Sequence, residues 1–112
     1  MNDCNQSEIQ AITTTVGSEV DAHRLANGLL TGRLAACVQV DAPMLSIYRW
    51  QGRICEETEV RLTVKTACDR LALVQEFLAR HHPYEMPEVA AVRMAASFGY
   101  ASWVYAETRP VA

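Results

Sequence analysis

Eight consecutive residues, His81-His82-Pro83-Tyr84-Glu85-Met86-Pro87-Glu88, carry the densest gathering of groups able to bind a metal or move a proton. Imidazole titrates near neutrality and is a frequent metal ligand, and phenol and carboxylate groups extend the same chemistry. Two prolines stiffen the segment. Neighbouring residues on one helix point about 100° apart. His81 and His82 therefore reach a single ion only if the helix ends between them, which Pro83 permits. A hydrogen-bonded packing role for His81, beside the apolar stripe of Leu71, Val74 and Leu78, is the competing reading. Copper or another divalent cation is the metal such a pair suits, because imidazole and soft sulfur ligands favour copper and it tops the affinity order. No metal is required for folding at this chain length.

Tyr84, Glu85 and Glu88 read either as acid-base groups or as a turn tyrosine with surface carboxylates. Glu59 and Lys65 are six apart on one strand and share a face, so they form either a polar strip along an inter-subunit cleft or a solvated ion pair. Tyr48, Trp50 and Trp103 could line the same cleft, although aromatic residues also pack cores and interfaces. No G-x-S-x-G elbow, Walker loop or G-x-G-x-x-G sequence occurs, so the chain is not expected to be an enzyme.

The elements that must position these groups follow from periodicity. Ile9 to Val16 is rich in β-branched residues with apolar groups on both alternating faces, and reads as a central strand. Ser18 with Asp21 forms a capping pattern ahead of a helix whose Ala22, Leu25, Ala26 and Leu29 share one side, and Gly32 is its stop. Leu34 to Val40 is a second strand; Pro43 should interrupt it before it resumes from Leu45 to Trp50. Gln51-Gly52 is a two-residue turn into a strand from Arg53 to Thr66, where Val60, Leu62 and Val64 alternate with Arg61, Thr63 and Lys65. Thr66 with Asp69 repeats the capping pattern before a helix ended by Pro83. Glu88 to Met94 is a further strand, and Tyr100 to Glu107 a short terminal helix.

Joined by right-handed crossovers, these pieces make an α/β (α+β) ferredoxin-like βαββαβ sandwich, with two helices on one face of an antiparallel sheet and a short C-terminal helix. Ile12, Cys37, Tyr48, Trp50 and Met94 cannot all lie under two helices. A second copy of the chain is the cheapest cover, so a closed homo-oligomer is expected.

With 112 residues, half of them apolar, the sequence is expected to form a single domain over 1–112, with flexible tails at 1–7 and 109–112. Net charge of −3 supplies no basic field for nucleic acid, and no apolar run reaches membrane-spanning length. The first residues lack a basic stretch followed by an apolar core, so no secretory signal and a cytoplasmic location are expected. Cys4, Cys37, Cys55 and Cys68 form no C-x-x-C pair and are expected to be reduced thiols, with Cys37 and Cys68 in the core.

Arg33-Leu34-Ala35-Ala36-Cys37-Val38, Ser46-Ile47-Tyr48-Arg49-Trp50-Gln51-Gly52, Glu59-Val60 with Lys65-Thr66, His82-Pro83-Tyr84-Glu85 with Pro87-Glu88, and Trp103-Val104 follow one another in the order and spacing of the CutA family. Over about Ile9 to Glu107 the chain resembles these divalent-cation tolerance proteins. The resemblance implies a homotrimer of PII-like shape whose long hairpin strands pair between subunits, acting in copper or other divalent-metal tolerance by binding or signalling. It also implies a copper site using a cysteine near the end of the first strand and the histidine pair, here His81 and His82. The cysteine position is occupied by Thr14, a poor ligand for soft copper. Two other uses of the fold fit less well. An acylphosphatase needs a glycine-rich, arginine-bearing phosphate loop, which Thr13-Thr14-Thr15-Val16-Gly17 is not. An RNA-binding module needs exposed aromatics amid basic residues, where the sequence offers Arg61, Thr63 and Lys65.

Overall fold

The computed structural model describes residues 4–111. Its elements are β1 (Glu8–Val16), α1 (Glu19–Thr31), β2 (Cys37–Val40), β3 (Met44–Trp50), β4 (Arg53–Ala67), α2 (Leu71–His81), β5 (Ala90–Ala95) and α3 (Phe98–Glu107). The sheet runs β2-β4-β1-β5 with β3 also on β4, every pair antiparallel. β2 and β3 are one edge strand broken at 41–43, as Pro43 requires. With that break closed, the order is ferredoxin-like, as the periodicity predicts.

Each element has a local cause. Ser18 Oγ accepts from the Asp21 N–H at 3.1 Å and caps α1. Ala22, Leu25, Ala26 and Leu29 are its buried stripe. Gly28 carries no side chain because a Cβ there would stand 2.6 Å from Cζ of Phe77, so its absence lets α1 and α2 approach. At the end of α1 Gly32 is the cap, but the left-handed residue is Arg33, with φ 56°. That turn delays the strand, so β2 starts at Cys37 rather than Leu34. Gln51 and Gly52 both have positive φ, the pairing a two-residue I′ turn needs, and β3 and β4 continue from it in strict register to Met44↔Glu59.

The main core lies under α1 and α2 and includes Ile12, Val16, Leu25, Leu29, Val60, Leu62, Val64, Val74 and Leu78. Each fully buried aliphatic side chain of this kind contributes roughly 1.5–3 kcal/mol. Ile12 belongs here, which corrects its expected place on the uncovered face. The opposite face is partly roofed by α3, where Ile9 packs with Ala101 and Val104. Beyond that roof the hairpin leaves Leu45, Ile47 and Ile54 at least 60% exposed, and edge strand β5 leaves Val92 61% exposed. The hairpin also stretches the molecule to 46 × 25 × 24 Å.

Two further expectations are corrected. Thr66 does not cap α2: it is still within β4 and donates its hydroxyl to the Leu34 carbonyl at 2.6 Å, while a 3-10 turn, Cys68–Arg70, leads into the helix. Cys4 and Cys68 are not reduced but joined by a disulfide, with Cα atoms 6.1 Å apart; Cys37 and Cys55 are free thiols. The described parts of the outer segments have partners of their own. Ser7 accepts from the Ala96 N–H through its carbonyl, and Arg109 forms two 2.7 Å hydrogen bonds to Asp69. Residues 1–3 and 112, part of the expected tails, lie outside the described residues.

Candidate functional site

Beyond Val16↔Val60 the strand β4 outruns β1, so its first half pairs only with β3 and stands clear of the sheet. On this ledge Ser46, Tyr48 and Trp50 share a face with Glu57 and Glu59. Pro83 ends α2 and turns His82 to extended backbone, ψ 137°, which throws residues 84–88 across the end of β1 towards the ledge. Between ledge and loop is a cleft of about 580 Å³, lined by Thr15, Ser46, Ile47, Tyr48, Trp50, Glu57, Glu59, Tyr84, Glu85, Met86 and Glu88.

Hydroxyl groups hold three of its four carboxylates. Tyr48 donates to Glu57 across the hairpin. Tyr84 donates to Glu59 Oε2 at 2.9 Å, and Thr13 to Glu88 Oε2 at 3.0 Å. Glu59 is 8% exposed, and among the described residues Tyr84 alone hydrogen-bonds its side chain. The bond to Glu57 pushes the Tyr48 hydroxyl up to about 12. Burial, with the Glu59 bond second, raises that of Tyr84. Both phenols therefore stay protonated at neutral pH.

The histidine pair is parted by the end of α2. His82 uses both ring nitrogens: Nδ1 accepts from the Tyr84 N–H at 3.0 Å and Nε2 stands 2.9 Å from the Thr15 carbonyl, to which it donates. Burial lowers its pKa, keeping the ring neutral and in that tautomer. His81 is exposed on the helix and stacks on Phe77 with ring centroids 4.5 Å apart. Thr14, where the resemblance implies a cysteine, is fully buried with its hydroxyl unpaired. A copper centre of His81, His82 and Thr14 does not fit these residues: one imidazole has no free nitrogen, and the third group is a hydroxyl. Among the described residues, no three of His, Cys, Asp and Glu converge as a metal would need.

The cleft expected from the sequence is divided as well. Tyr48, Trp50, Glu59, Tyr84 and Glu85 are brought together; Lys65 and Trp103 are not. Those two gather at Tyr100, Lys65 Nζ lying 6.0 Å from its ring centroid and the Trp103 ring 5.7 Å away. Sequence reasoning missed Glu57 and Glu88 as partners of this cleft. The alternation that puts Glu57 beside Glu59 was readable; the Thr13 contact to Glu88, 75 residues apart, had no local signal.

Residues 10–107 match the CutA1 divalent ion tolerance protein family. The chain is 37% identical over 100 residues to the divalent-cation tolerance protein CutA of Thermus thermophilus, covering 88% of this chain and 97% of that one. It superposes on the crystal structure of divalent ion tolerance protein CutA1 from Ehrlichia chaffeensis with a TM-score of 0.89 at 27% identity, covering 95% and 100% of the two chains. For CutA from Synechococcus elongatus the TM-score is 0.87 at 36% identity, with 92% of each chain covered. With nearly its whole length accounted for by sequence and by fold, this chain belongs to the CutA family of divalent-cation tolerance proteins.

Proposed function

We propose that the chain is a non-catalytic binding and signalling protein of divalent-cation tolerance that works as a homotrimer. The observation that carries this reading is the cleft with its tyrosine hydroxyls fixed on carboxylates. A general acid or base for neutral pH needs a pKa near the working pH. Tyr48 and Tyr84 are driven away from that range, and His82 has both nitrogens engaged. Such a set holds a ligand better than it turns one over. The trimer is supported by the hairpin, which presents apolar Leu45, Ile47 and Ile54 on one side and Tyr48 and Trp50 on the other with no cover from its own chain. Exposed apolar surface beside unpaired strand edges is what strand pairing between copies hides. The poor fit of the histidine pair to copper supports an indirect part in metal tolerance, through a bound ligand or a partner.

Light scattering at micromolar protein tests the assembly: a species of three 12.4 kDa protomers is expected, and a monomer alone sinks it. Acetyl phosphate supplied to the same sample should stay intact; turnover would favour a phosphatase instead.

A further inference from the structure

We propose that Cys4 and Cys68 form a reversible thiol–disulfide site for small thiols and their disulfides, which fastens and releases residues 4–7 without disturbing the sheet. It lies at the far end of β4 from the hairpin and does not depend on the reading given to the cleft. A disulfide that staples a fold joins parts that would otherwise separate. This one joins parts already held. The β1–β4 ladder runs to Ile9↔Ala67, one residue short of Cys68. Beyond it the 3-10 turn has fastenings of its own. The Cys68 N–H donates to the Tyr105 hydroxyl at 3.4 Å, Asp69 accepts two 2.7 Å bonds from Arg109, and Arg70 Nε donates to the Thr108 carbonyl at 2.7 Å. Cys68 therefore keeps its place whether or not it is bonded to Cys4.

The two sulfurs differ in what reduction does to them. Cys68 is 5% exposed, and its Sγ stands 3.7 Å from the Glu8 carbonyl oxygen. A disulfide sulfur has no proton to give that oxygen, but a thiol has one. The carbonyl already accepts from the Tyr105 hydroxyl at 3.0 Å and keeps a second lone pair for the thiol. The buried half of the pair is thus provided for in both states. Cys4 is half-buried, in a segment tied to the sheet by the Ala96 N–H, which donates to the Ser7 carbonyl. An outside thiolate therefore reaches Cys4 Sγ ahead of Cys68 Sγ. With glutathione as the thiol, attack at Cys4 breaks the S–S bond, and its electron pair leaves on Cys68 Sγ, which takes a proton from solvent. A second glutathione thiolate attacks the glutathione sulfur of the mixed disulfide, and the Cys4 thiolate departs and is protonated. Two electrons have entered the protein and one glutathione disulfide has formed. In the reverse direction the Cys4 thiolate takes one half of glutathione disulfide, and the Cys68 thiolate displaces it.

Cys37 and Cys55 are thiols as well, so the test reads each cysteine by peptide mapping after alkylation. The intact protein, equilibrated with glutathione and its disulfide, should lose the Cys4–Cys68 bond as the reduced fraction rises. It should regain the bond when the ratio is restored, with an unchanged far-ultraviolet spectrum throughout. In the reduced protein Cys4 should alkylate at least about tenfold faster than Cys68. Amide exchange should quicken about tenfold at Glu8 and Ala96, whose N–H groups donate into residues 4–7, and stay unchanged at Ile12 and Val64 in the core. Cys4→Ser should show that exchange pattern in every buffer. Cys68→Ser, which lacks the second thiol, should retain glutathione on Cys4 as a stable mixed disulfide. A bond indifferent to the buffer, a sheet that melts on reduction, exchange at Glu8 and Ala96 that ignores the redox state, or a Cys68→Ser variant that takes up no glutathione would overturn the proposal.

Discussion

Tyr84 is tied at two levels, its N–H to His82 and its hydroxyl to Glu59, so the loop after α2 and the ledge of β4 are held by one residue. Tyr84→Phe leaves the Glu59 carboxylate buried without its donor, at a cost of about 1–3 kcal/mol. A lower urea midpoint with unchanged slope is the expected signature. His82 carries a pH dependence of definite sign. Its folded pKa lies below the ordinary 6.5, chiefly through burial. The unfolded chain therefore takes up the proton first, and stability falls as pH drops through 6.5 and below. His82→Asn should flatten that part of the profile. Asp69 behaves likewise lower down. The Arg109 bond holds its carboxyl below the usual value of 3.8, so the pair's contribution is present above that pH and fades below it. At this scale the sequence shows which residues can do chemistry but not which are already occupied. Two adjacent histidines read as a ligand pair because their partners are remote: the Thr15 carbonyl is 67 residues from His82.

Among the elements, Ser18 and Thr66 make an instructive pair. Both precede an aspartate by three residues at the head of an apolar helical stripe. Ser18 caps α1; Thr66 is bound into β4 opposite Gln10 and gives its hydroxyl to Leu34. Ser18→Ala should cost about 1 kcal/mol through the lost cap, whereas the analogous cap loss is not expected at Thr66, whose substitution strands the Leu34 carbonyl. Thermal unfolding of the two variants, with helicity followed in parallel, separates these causes. Strands and helices were legible because the signals that set them are local: alternation in Val60–Lys65, the break at Pro43, the turn at Gln51-Gly52, the stop at Pro83. What was not legible depends on which segments meet. The face on which Ile12 lies has no local signal because β1 is apolar on both, and only the packing of α1 and α2 against one of them decides the matter.

For the molecule as a whole, the hairpin is the costly feature of an isolated protomer. Ile54 is 69% exposed there, so Ile54→Asp should leave the protomer's own fold intact while reducing the scattering mass of any assembly built on that surface. A variant that stays fully assembled would place the contact elsewhere. The opposite end of β4 has a different character. The disulfide fixes Cys4 to Cys68, Arg109 clamps Asp69, and Arg70 donates to the Thr108 carbonyl at 2.7 Å, so both outer segments moor on one short turn. The fifteen residues of β4 separate that mooring from the hairpin tip and span most of the 46 Å length of the molecule. A dye carried on either described outer segment, at Asn5 or at Val111, would thus sit at that corner and leave the cleft unobstructed.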